Sequence, residues 1–164
     1  MIRFARFVTA LGRVYATADA HGLTGLYFEG GRHAPIPRPE WIADDEAPLF
    51  RECARQLGDY LAARRRVFDL PLAPAGTPFQ MRVWNEIARI PYGATLSYAE
   101  LARLAGAPGA ARAAGAATGR NPLSIIVPCH RVVGSAGDLT GYAGGLERKT
   151  RLLQIEGAIE AALA

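Results

Sequence analysis

Cysteine is scarce in this chain. There are two, Cys53 and Cys129, and no Cys-x-x-Cys pair. That excludes a disulfide-stapled scaffold, and free thiols in a reducing setting are expected. Histidine is almost as rare. Neither His21 nor His33 has Cys, Asp or Glu at a metal-ligand spacing, so no metal is expected. No apolar run reaches membrane-spanning length, and no secretory signal opens the sequence, so a cytoplasmic protein without membrane contact is expected. The glycine-rich loop 140–145 lacks the spacing of a phosphate-binding loop.

What is present is apolar residues and arginine. Half of the 164 residues are hydrophobic, enough for a core without staples. The net charge of +4 permits a nucleic-acid partner without demanding one. Lysine is low, so arginine carries nearly all of the positive charge, and the excess sits in the second half of the chain.

Residues 3–8, 12–17 and 23–29 have the alternation of strands in a hairpin-like series. Prolines make 33–39 a loop. Phe50, Cys53, Leu57 and Leu61 recur at helical spacing within 46–64 and place Cys53 on an apolar face. Pro71, Pro74, Gly76 and Pro78 mark a boundary between a small α/β unit, 1–75, and a second unit, 76–164. In the second unit Thr77, Pro78 and Gln80 open a helix, with Trp84 in its core face. Residues 97–119 read as a helix-turn-helix capped by Ser97 and Glu100. Its second helix is rich in alanine and carries Arg112 as its only charge, so it can approach a backbone or groove closely. A final amphipathic helix spans 146–155, with Arg148, Lys149 and Arg151 expected on an exposed basic face.

The run 123–127 reads as a buried strand or extended segment that stops at Pro128. Cys129, His130 and Arg131 follow. A thiolate is the reactive form of cysteine, and cationic surroundings favour it. His130 could be its base, and Glu156 could orient His130. Adjacent side chains can also point apart, so a structural thiol fits Pro-Cys-His-Arg equally well.

Several stretches together resemble the O6-alkylguanine-DNA alkyltransferase family. They are Phe79-Gln-Met-Arg-Val-Trp84, Pro91-Tyr-Gly-Ala-Thr-Leu-Ser-Tyr98, Ala110-Ala-Arg-Ala113, Asn121-Pro122, Ile126-Val-Pro-Cys-His-Arg-Val132 and Gly141-Tyr-Ala-Gly-Gly-Leu146. The resemblance implies a ribonuclease-H-like α/β N-terminal domain followed by a mainly helical DNA-binding domain with a helix-turn-helix. It implies a single-use transfer of a small alkyl group from O6-alkylguanine, or O4-alkylthymine, in double-stranded DNA to Cys129 after base flipping. His130 would take the thiol proton and Glu156 would orient the imidazole. Lys149 would fix the active segment, and Asn121 would hold its turn. Tyr98 would press a phosphate and could donate a proton to O6. Arg112, Ala113 and Arg131 would meet DNA, Arg112 filling the space of the extruded base. Tyr142, Ala143, Gly144 and Val132 would line the base pocket. A monomer without cofactor is implied.

Ala143 leaves one side-chain donor absent from the pocket edge. An alkyltransferase-like protein that only binds lesions would lack the acceptor cysteine. A cysteine hydrolase would need an oxyanion hole, for which the sequence gives no support. A transcription factor would want more base-reading side chains than the alanine-rich helix carries.

Overall fold

The computed structural model describes residues 1–160. Three strands, β1 (Arg3–Thr9), β2 (Gly12–Ala18) and β3 (Leu23–Phe28), form an antiparallel meander. A two-residue strand, β4 (Ile42–Ala43), adds parallel to β1, giving the order β3-β2-β1-β4. Gly12, with φ +117°, makes the tight reversal into β2. Ala5, Val14, Ala16, Ala18, Leu26 and Phe28 are buried, and helix α1 (Pro48–Leu61) adds Phe50, Cys53, Leu57 and Leu61 to the same core. Proline at the first turn opens α1.

The second half is mainly helical. Thr77 caps α2 (Pro78–Ala88), and Gln80 returns the bond to the Thr77 backbone, a complete capping box. Ser97 caps α3 (Tyr98–Leu104) by accepting from the Glu100 N–H. Helix α4 (Ala111–Gly119) packs on α3 and α2 through small residues, with Ala114 and Ala117 buried. Trp84 Nε1 donates to the Ala117 carbonyl at 2.8 Å and ties α2 to α4. A short parallel pair, β5 (Leu96–Ser97) and β6 (Val132–Val133), joins the helix-turn-helix to the segment after Cys129. Helix α5 (Leu146–Ile155) closes the described fold.

The free edge of β3 is where the two halves meet. Leu23 pairs with the linker: its N–H donates to Pro71 O at 2.9 Å, and its carbonyl accepts from Ala73 N at 2.7 Å. Leu26 pairs with the active segment: its N–H donates to Pro122 O at 2.8 Å, and its carbonyl accepts from Ser124 N at 3.0 Å. The backbone just before Cys129 is thereby fastened to the sheet.

Two expectations need correction. Residues 123–127 are not a strand. Leu123 makes one isolated bridge to Leu26, and then the chain curls. Ile125 adopts φ +72°, and Val127 N donates to Leu123 O at 2.9 Å. Asn121 fixes the curl from inside: Oδ1 accepts from Leu123 N at 3.0 Å, and Nδ2 donates to Val127 O at 2.8 Å. The basic face on α5 is also incomplete. Arg151 is exposed, but Lys149 is fully buried and Arg148 reaches back to the sheet. Arg148 Nε donates to Leu11 O at 2.8 Å, and its guanidinium lies 4.4 Å from the centre of the Phe28 ring.

Candidate active site

Cys129 opens a single 3-10 turn, Cys129–Arg131, and is buried. Its side of the turn borders a cavity of about 340 Å³, within the range of small-ligand sites. Tyr98, Gly115, Thr118, Tyr142 and Ala143 line the same cavity. Tyr98 comes from the start of α3, where its hydroxyl donates to Thr140 O at 3.0 Å. Tyr142 brings an aromatic edge: its ring stands nearly perpendicular to His130, with centroids 6.4 Å apart.

Behind the thiol lies a charged network. His130 Nε2 is 2.7 Å from Glu156 Oε2, and both side chains are fully buried. Arg131 grips the same carboxylate with a fork, Nε to Oε1 at 2.8 Å and Nη2 to Oε2 at 2.9 Å. Its third nitrogen donates to Ile90 O at 2.6 Å. The guanidinium also lies 5.7 Å from the centre of the Tyr92 ring. A fourth side chain enters from the first domain: the Tyr60 hydroxyl donates to Glu156 Oε2. Sequence reasoning missed Tyr60. The available signal was a phenol on the buried face of α1, because an enclosed hydroxyl needs a polar partner.

Burial governs the protonation states. It pushes the Cys129 thiol up, while the Asn121 side chain and the Lys149 charge pull the other way. Burial, reinforced by the Arg131 and Lys149 charges, holds His130 well below its usual value, so the resting imidazole is neutral. Burial raises the Glu156 carboxyl to about 8. The bidentate Arg131 fork opposes that rise by favouring the carboxylate. With Nε2–H donated to Glu156, His130 keeps Nδ1 as a lone-pair acceptor, and Nδ1 has no protein partner among the described residues.

Lys149 is the only lysine in the chain. Its Nζ donates to Val132 O at 2.6 Å and to Thr140 O and Gly141 O at 3.0 Å each. Three carbonyls thus converge on one ammonium and tie β6 to the loop carrying Tyr142. Burial lowers its pKa to about 8.

The other expected residues divide. Arg112 and Ala113 are exposed on α4, opposite its buried alanines. Ala143 lines the Cys129 cavity, whereas Gly144 lines a neighbouring one beside Phe28. Val132 is not at the cavity. It is fully buried in β6, where its carbonyl holds Lys149. Arg131 does not face outward toward DNA. The turn points it into the core, where Glu156 neutralises it. Two unexpected residues, Arg32 and His33, reach the cavity from the loop after β3, and Arg32 N donates to Ala143 O at 2.8 Å.

Two family models match the chain in succession: the ribonuclease-like domain of 6-O-methylguanine DNA methyltransferase over residues 2–74, and its DNA binding domain over residues 78–158. The chain belongs to this family. A methylated-DNA–protein-cysteine methyltransferase of Methanosarcina acetivorans is 45% identical over 155 residues, covering 94% of this chain and 98% of the relative. A Mycobacterium tuberculosis relative of the same name is 44% identical over 156 residues, 95% of this chain and 93% of its own. The crystal structure of Mycobacterium tuberculosis OGT in complex with DNA superposes with a TM-score of 0.87 at 42% identity, covering 95% of this chain and 93% of that one. The fold is therefore that of the methyltransferase family, a mixed α/β domain followed by a mainly helical DNA-binding domain.

Among the described residues no helix is long and apolar enough to cross a membrane. No cluster of three or more His, Cys, Asp or Glu residues able to hold a metal occurs among them either.

Proposed function

We propose that Cys129 is the acceptor for a methyl or other small alkyl group carried on O6 of guanine, or on O4 of thymine, in duplex DNA. The wider activity is direct-reversal repair, methyl transfer from alkylated guanine to a protein cysteine. The observation that carries the assignment is a thiol on a cavity wall, backed by a neutral imidazole whose far nitrogen meets a buried carboxylate.

The thiol proton moves to His130 Nδ1 as the base arrives, directly or through one water. The imidazolium is then stabilised by Glu156 through Nε2–H. The thiolate attacks the alkyl carbon in line. The S–C bond forms, the C–O6 bond breaks, and its electron pair stays with guanine. A proton returns to the purine, with the Tyr98 hydroxyl on the cavity wall as its donor. The product is a thioether, so each molecule acts once. Lys149 and Asn121 hold the two loops that frame the thiol.

DNA approaches along the exposed face of α4. Small side chains there suit a narrow groove, and Arg112 enters the stack in place of the extruded nucleotide. The protein acts as a monomer.

The deciding experiment incubates the protein with duplex carrying one O6-methylguanine and measures peptide masses. One added methylene on the Cys129 peptide should match the lesion lost. Lesion loss with unmodified Cys129 rejects the assignment. Arg112→Ala supplies a second test. Because extrusion costs a few kcal/mol, transfer should slow on duplex by about tenfold or more. On the free modified base it should stay near the parent rate, and equal slowing on both would remove Arg112 from the extrusion step.

A further inference from the structure

Tyr60 lies on α1, in the first domain, and is 1% exposed. Its ring is clamped by Phe68 and Tyr92, with centroids 4.9 and 6.0 Å away. The hydroxyl passes between two members of the charged network. It donates to Glu156 Oε2 and lies 3.4 Å from Arg131 Nη2 as an acceptor. Oε2 therefore faces three donors, from Tyr60, His130 and Arg131, while Oε1 faces Arg131 Nε. With the Gly93 N–H also bonded to the carboxylate, donors surround both of its oxygens.

We infer that Tyr60 is a positioning residue for alkyl transfer: its hydroxyl keeps Glu156 an acceptor-only carboxylate aligned with His130 Nε2. The inference rests on the proposed proton path from Cys129 to His130. Relocating a proton from a buried thiol creates a buried imidazolium, which needs an anionic partner. If Glu156 held a proton, it would become a donor at the oxygen that must accept from His130. The first domain thus supplies a working part of the active centre and does more than support it.

The charged and polar groups around Glu156 come from four elements. The 3-10 turn supplies His130 and Arg131, and α1 supplies Tyr60. The loop after α2 brings the Gly93 N–H to the carboxylate, with the Tyr92 ring over Arg131. From α5, the Lys149 charge acts on His130. The Tyr60 hydroxyl that bonds the carboxylate is neutral, so its removal changes no net charge. Losing a donor raises the proton affinity of a buried carboxylate.

Tyr60→Phe tests this. The ring and its two aromatic contacts remain, and thermal unfolding by circular dichroism checks that the fold survives. Lesion loss from O6-methylguanine duplex is timed from mildly acidic to alkaline pH for parent and variant. One hydrogen bond to a charged acceptor corresponds to a shift of the acid limb upward by about one pH unit. Transfer should then be several-fold slower at neutral pH, with rates converging in alkali. A uniform loss at every pH, no change, or a shift toward acid overturns the inference. The peptide mass of the parent separates the two levels. If Cys129 gains the methylene but the variant's profile does not move upward, only the role of Tyr60 fails. If Cys129 stays unmodified, the acceptor assignment itself fails.

Discussion

A Cys129→Ser protein binds lesion-containing duplex as the parent does and leaves the lesion in place. Serine replaces the thiol almost isosterically in a site that is 5% exposed, so the turn and the cavity persist. The exposed face of α4 is untouched. What is lost is the nucleophile. Burial already pushes the Cys129 thiol up, so even a thiol needs His130 to take its proton. A hydroxyl is far less acidic, and neutral His130 is too weak a base for it. Transfer should fall to background. Gel-shift titration and mass analysis of the recovered DNA read both halves of this prediction. Transfer at the parent rate would move the acceptor elsewhere. Cys53 is a poor substitute, because it is fully buried in the core under α1, with its thiol pushed up to about 12.

Arg131→Met should cost about 3–5 kcal/mol of stability, the usual effect of removing one partner from a buried ion pair. The fork supplies both of its bonds to a carboxylate that is itself fully buried. Methionine fills the space but offers no donor. The loss should depend on pH with a definite sign. Without the guanidinium, the folded-state pKa of Glu156 rises further above its ordinary value, beyond the rise that burial already causes. Between the unfolded and folded values the folded variant binds a proton that the unfolded chain lacks. Its stability therefore rises as pH falls. The gap between parent and variant should be widest in mild alkali and narrow toward acid. Urea unfolding of both proteins at two pH values measures it. A gap that is constant or widens toward acid would show that Glu156 does not govern the effect.

Much of this was readable from side-chain pattern. The three strands of the meander were marked by their apolar content and turns, although β2 is buried on both faces from Val14 to Ala18, and α1 and α5 carry apolar stripes. The Thr77 and Ser97 caps marked true helix starts, because their hydroxyls satisfy N–H groups that any helix leaves open. Patterns failed where direction is set by distant contacts. The run 123–127 is apolar enough for a strand, but the Asn121 amide and the β3 edge leave no register for one. Arg131 follows His130 directly, yet a 3-10 turn sends successive side chains different ways, and Glu156 decides where the guanidinium goes. β4 is two exposed residues, too short to carry any alternation. Tyr60 and Glu156 are 96 positions apart, a separation no local spacing rule can bridge.

The shared edge of β3 also dictates an order of events during synthesis. The first three strands can pair as soon as they leave the ribosome, because their partners are neighbours in sequence. The outer edge of β3 cannot be covered then. Leu23 waits for residues 71–73, and Leu26 waits for 122–124, almost a hundred residues downstream. Over that interval the nascent chain carries an unpaired strand edge, the feature most prone to join another chain. The segment that places Cys129 is also the one that ends this exposure, so completing the reactive centre and sealing the sheet are a single step.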